Sequence, residues 1–118
     1  MSRVARRGWP AVALVALALL VGACSDGGTP ELSGSQADDP VLVLGRQVYM
    51  ERCARCHGGS GGGGAGPKLS DGKAVERYPE PSQQEAVVRE GRGTMPAWDG
   101  VLSDEEIEAV VRFTREVL

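Results

Sequence analysis

The stretch "CARCHGGSGGGGAGP", Cys53 to Pro67, sets two cysteines and the only histidine of a 118-residue chain directly against a run of nearly pure glycine. Cys53 and Cys56 stand three positions apart, which puts both side chains on one face of a helical turn, with His57 immediately after them. Cysteine and histidine at fixed spacing indicate a built site. A glycine run indicates backbone that need not hold a shape by itself.

Cys-x-x-Cys-His is the attachment signature of c-type haem. Each thiol forms a thioether with one of the two haem vinyl groups, and His57 is then placed beneath the iron with its imidazole as an axial ligand. Other uses of the same residues fit less well. A structural zinc site closes four ligands, and there is no second Cys-x-x-Cys pair. A thioredoxin-like dithiol needs a strand–helix context, which is absent. A Cys53–Cys56 disulfide closes too small a loop to staple a domain. The iron then needs a sixth ligand, or it stays open. With a single histidine, bis-histidine ligation within one chain is impossible. Met50 belongs to the same helix as Cys53 and cannot reach the opposite haem face. Met95 lies in the loop "GRGTMPAWDG", residues 91–100, which can fold over that face. Pro96 biases Met95 toward an extended backbone. Lys68 and Lys73 compete weakly, because a lysine must first lose its proton.

The chain opens "MSRVARRGWPAVALVALALLVGAC". Three arginines, a short apolar run and a small-residue exit form an export signal over residues 1–23. The apolar run is short for a membrane span, which needs about 20 apolar residues. The exit Val21-Gly22-Ala23-Cys24 resembles the lipobox of bacterial lipoproteins, which implies lipid on Cys24 and a position outside the cytoplasm, on a membrane. Once residues 1–23 are removed, ten basic residues stand against sixteen acidic ones, a net charge of −6. A nucleic-acid partner is excluded at that balance, and protein partners with basic docking faces suit it.

Ser25 to Pro40, "SDGGTPELSGSQADDP", carries one isolated leucine and cannot bury enough apolar surface to offset its ordering entropy. It is expected to be a flexible tether with an extended limit of about 55 Å. The folded domain is expected over residues 41–118. A domain of that size has a marginal apolar core, and a large covalent cofactor supplies the missing staple.

The expected fold class is all-α, with three main helices joined by long loops over residues 58–81 and 91–102. The first helix spans about Val41 to Arg55, with Leu42, Gly45, Val48 and Tyr49 on one face and Arg52 and Cys53 continuing it. The second begins at "PSQQEAVVREG", capped by Ser82 with Glu85 and stopped at Gly91. The third begins at "LSDEEIEAVVRFTREVL", capped by Ser103 with Glu106. It buries Ile107, Val110, Val111, Thr114, Val117 and Leu118, with Phe113 at the edge of the stripe.

The blocks "GRQVYMERCARCHG", "GAGPKL" and "VVREGRGTMPAWDGVLSDEEIEAVVRF" resemble, in order, those of the small class I cytochromes c, and the resemblance covers Leu44 to Leu118. It implies a compact helical fold around one covalent haem c, with thioether links at Cys53 and Cys56 and axial ligands at His57 and Met95. It implies that the Pro67 carbonyl accepts the hydrogen bond of the ligand histidine and so fixes its tautomer. It also implies a crossing of the first and last helices, to which Gly45, Tyr49 and Phe113 are suited. Trp98 and Tyr78 are candidates to pack near the methionine loop or to bond a haem propionate.

A histidine–methionine pair saturates the iron and raises its potential. The expected function is therefore one-electron transfer between extracytoplasmic redox partners, without substrate turnover of its own. The alternative is a cytochrome c subunit fixed in a larger oxidoreductase.

Overall fold

The computed structural model describes residues 28–118; the export signal and Cys24 lie outside them. The described residues are helical and contain no strand, as the all-α expectation requires.

Helix α1 spans Pro40–Val48. Its start is fixed by Asp39, whose carboxylate accepts from the Val41 N–H at 2.9 Å and the Leu42 N–H at 3.4 Å. Pro40 occupies the first turn, where its missing N–H costs nothing. The chain then widens into a π-helical turn, Tyr49–Cys53, before α2, Ala54–His57. This corrects the expected uninterrupted helix. A π turn holds one extra residue, so the buried face advances by one position. Arg52, expected on that face, is exposed, while Cys53 and Ala54 pack against the core.

Helix α3, Lys73–Arg77, lies within the segment expected to be loop. Five residues are too few to show a period. Helix α4, Pro81–Glu90, is capped two residues earlier than expected. The Glu80 N–H donates to the Gln83 side-chain oxygen at 3.2 Å. Pro81 takes the first helical position, which its fixed φ favours, so Ser82 falls inside the helix instead of capping it.

Helix α5, Asp104–Glu116, begins as its sequence indicates. Ser103 Oγ accepts from the Glu106 N–H at 3.2 Å, and the Glu106 carboxylate accepts from the Ser103 N–H at 2.8 Å. Its buried stripe includes Ile107, Val110, Val111 and Thr114, with Val117 and Leu118 half-buried. Phe113 is fully buried at the centre of the core and not at its edge. The reason is the crossing with α1. A Cβ on Gly45 would lie 2.7 Å from the Ala109 carbonyl carbon and 2.9 Å from Phe113 Cβ, so only glycine permits the approach. The Tyr49 and Phe113 rings then meet at 5.5 Å between centroids, tilted by 44°. Gln84 of α4 reaches across to Thr114 of α5, Nε2 to Oγ1, at 2.7 Å.

The expected tether is fastened to the domain from Thr29 onward. Arg46 of α1 donates from Nε to the Pro30 carbonyl at 2.8 Å and from Nη2 to the Thr29 carbonyl at 3.3 Å, and pairs with Glu31. Leu32 packs against the core, and Asp39 pairs with Arg112 of α5 at 3.0 Å. The tether sequence lacks apolar surface, so it reads as unfolded; its anchor is a guanidinium sixteen positions away.

Candidate functional site

Cys53 ends the π turn half-buried, and Cys56 is exposed one helical turn later. Neither is in a disulfide. Burial and the neighbouring Cys56 push the Cys53 thiol up to about 11. His57 closes α2 and is buried. Its Nδ1 lies 2.9 Å from the Pro67 carbonyl oxygen. A carbonyl only accepts, so Nδ1 carries the proton and Nε2 keeps a lone pair for a metal.

The glycine run holds His57 in this position, a role the sequence reading did not assign. The Gly63 N–H donates to the His57 carbonyl at 2.7 Å and the Gly66 N–H to the Cys56 carbonyl at 2.8 Å, satisfying the open end of α2. The run therefore has a definite shape, made by its own backbone bonds. A Cβ on Gly66 would lie 2.8 Å from His57 Cε1 and 2.9 Å from Nδ1, so the bare backbone passes directly against the imidazole. The only signal in the sequence was a glycine just before the proline, indistinguishable from its neighbours. Tyr49 supports the loop from the core, its hydroxyl donating to the Gly58 carbonyl at 2.7 Å.

Met95 is half-buried in a tight turn in which Arg92 and Met95 exchange both backbone hydrogen bonds, at 3.1 and 3.0 Å. The loop is secured to the end of α4. The Trp98 N–H donates to the Val88 and Arg89 carbonyls, and the Asp99 N–H to the Arg89 carbonyl. These are helix-end carbonyls that lack partners within the helix. Trp98 packs against the core. The Tyr78 hydroxyl lies 3.1 Å from Arg92 Nη1 and so sits beside the methionine turn. Lys68 and Lys73 pair with Asp71 and Glu76 at the surface, and Met50 is exposed. Among the described residues, no cluster of three or more His, Cys, Asp or Glu side chains is arranged to hold a bare metal ion.

Residues 42–113 match the family described as "Cytochrome C oxidase, cbb3-type, subunit III". The chain belongs to this cytochrome c family. It is 39% identical over 89 residues to the chloroplastic cytochrome c6 of Chlamydomonas reinhardtii, covering 72% of this chain and 58% of the algal protein. It is 29% identical over 89 residues to the cbb3-type cytochrome c oxidase subunit FixPc of Rhizobium leguminosarum bv. viciae, covering 73% of this chain but 31% of that subunit. The chain thus spans less than two thirds of either relative. The solved cytochrome c6 of the diatom Phaeodactylum tricornutum superposes with a TM-score of 0.53 at 31% identity, covering 62% of this chain and 88% of the diatom protein.

The cofactor of this c-type cytochrome is covalently bound haem c. The donor set fits it: two free thiols in Cys-x-x-Cys-His spacing, a histidine whose tautomer leaves Nε2 for iron, and a glycine loop with no side chain against the ring.

Proposed function

We propose that the protein is an extracytoplasmic, membrane-tethered cytochrome that passes single electrons between redox proteins. In this reading Cys53 and Cys56 are the thioether links, His57 and Met95 the axial ligands, and Cys24 carries the lipid. The observation that carries it is His57, buried and held through Nδ1 by the Pro67 carbonyl at 2.9 Å. Such a contact orients the ring and makes it a better ligand.

The bound haem supplies an iron that cycles between Fe(III) and Fe(II). Met95, presented by a turn that backbone bonds secure to α4, would supply a soft sulfur that favours Fe(II) and raises the potential. His57 and Met95 together would leave the iron no open position for oxygen or peroxide. Trp98, packed against the core, and Tyr78, bonded to Arg92, would stand beside the methionine ligand. The net charge of −6 after signal removal suits partners with basic docking faces.

Absorption spectroscopy of the holoprotein tests the ligands. A pyridine haemochrome spectrum reports the two thioethers, and the oxidised protein should show the methionine-to-iron band. Met95→Ala should abolish that band, open the axial site to carbon monoxide in the reduced protein and lower the potential; an unchanged spectrum would falsify the assignment. Mass spectrometry of the N-terminal peptide tests the lipid on Cys24.

The match to an oxidase subunit family favours a second reading, a subunit held in a larger oxidoreductase. Co-purification from membranes with one stoichiometric partner decides for it, and recovery as a free monohaem protein decides against it.

A further inference from the structure

The methionine turn is secured along its base by α4, whose last carbonyls accept from Gly91, Trp98 and Asp99. Its tip, residues 92–94, is exposed, while Met95 folds back against Gly91. At the tip Arg92 donates from Nη1 to the Tyr78 hydroxyl at 3.1 Å. Tyr78 is in turn held from α5. Arg115 donates from Nη1 to the Tyr78 carbonyl and from Nη2 to the Pro79 carbonyl, both at 2.7 Å. Arg115 Nη1 also reaches the Gln84 side chain at 3.3 Å, and Gln84 is bonded to Thr114 in the core. A continuous series of hydrogen bonds therefore runs from the core through Arg115 and Tyr78 to Arg92. Arg92 shares both backbone bonds of its turn with Met95.

We propose that Arg92 and Tyr78 form a latch that holds the Met95 turn closed, making both positioning residues for the sixth ligand. This rests on the assignment of Met95 to the iron. The Arg92–Met95 exchange ties the two backbones into one unit, so any displacement of the Met95 backbone away from the iron carries Arg92 with it. Such a movement pulls the Arg92 guanidinium from the phenol. The latch thus adds to the barrier and to the free energy of losing the methionine, while the base of the loop stays in place.

The test uses full-length holoprotein and imidazole as the competing ligand for the oxidised iron, followed by absorption. Arg92→Ala and Tyr78→Phe should each raise imidazole affinity about threefold, the size of one exposed hydrogen bond to a charged group. The double variant should be no worse than either single one, because both remove the same contact. Arg92→Lys, which can still donate, should recover part of the loss. Single variants that bind imidazole like the unaltered protein, or whose effects simply add, overturn the latch. Absence of the methionine-to-iron band in the unaltered protein overturns the ligand assignment itself, and the latch with it.

Discussion

His57 is oriented by two neighbours that act through their backbone: the carbonyl of Pro67 and the bare backbone of Gly66. Gly66→Ala places a methyl group within 3 Å of the imidazole. The ring cannot retreat without breaking the 2.9 Å bond to Pro67. Overpacking of this kind costs about 1–3 kcal/mol. The variant should melt at lower temperature and show altered axial-ligand bands. A melting curve and spectrum matching those of the unaltered holoprotein would refute the contact. Tyr49 gives a prediction about pH. Burial pushes its phenol up to about 12 from the ordinary 10. The fold thus favours the neutral phenol. Stability from this source is complete below about pH 10 and is lost as pH rises from there through 12. Tyr49→Phe should remove that alkaline loss, yet lower stability at neutral pH by about 1–2 kcal/mol, because the Gly58 carbonyl loses its partner. Denaturant midpoints from pH 7 to 12 read both effects. Cys53, Cys56 and His57 were legible because their chemistry sits in five consecutive residues. Gly66 was not, since its role is a contact across a closed loop and its neighbours in sequence are also glycine.

Between elements, the α1–α5 crossing depends on one position. Replacing a helical glycine with alanine ordinarily gains about 1 kcal/mol of helix propensity. At Gly45 the added Cβ would collide with the Ala109 carbonyl and the Phe113 side chain. Both belong to the buried heart of α5 and have no room to yield. The collision therefore outweighs the propensity gain, and Gly45→Ala should destabilise the protein by about 3 kcal/mol. Chemical denaturation checks this; a neutral or stabilised variant would mean that the helices stand farther apart. The two long helices could be read from sequence because apolar periodicity and the Ser103–Glu106 box act over a single turn. The π turn could not. It costs no recognisable residue type, and its effect appears only as a shift of the buried face from Arg52 and Cys53 to Cys53 and Ala54. The start of α4 was misplaced because Ser82–Glu85 matches the usual capping box, whereas the cap in use, Glu80 with Gln83, begins on a residue that seldom caps. The position of Pro81 decides between them.

At the scale of the whole molecule, the segment before α1 changes how the domain relates to its proposed anchor. A free linker from Ser25 to Pro40 would reach about 55 Å. With the chain fastened from Thr29 by Arg46, only the stretch from Cys24 to Thr29 is left to span, about 17 Å at full extension. A lipid on Cys24 would then keep the haem domain near the bilayer surface, with α1 on the anchored side, and would limit the partners it can meet to those close to the membrane. Arg46→Ala removes three contacts to residues 29–31 at once. It leaves Asp39, the α1 cap and the α1–α5 crossing intact. The released segment should be cut by protease at residues 29–36 at least several-fold faster than in the unaltered protein. The haem spectrum and potential should stay the same, because no contact to Cys53, His57 or the Met95 turn is touched. Equal cleavage rates would show that Leu32 and the Asp39–Arg112 pair hold the segment without Arg46. A changed haem spectrum would show instead that the segment supports the crevice, and that its shortening of the tether is incidental.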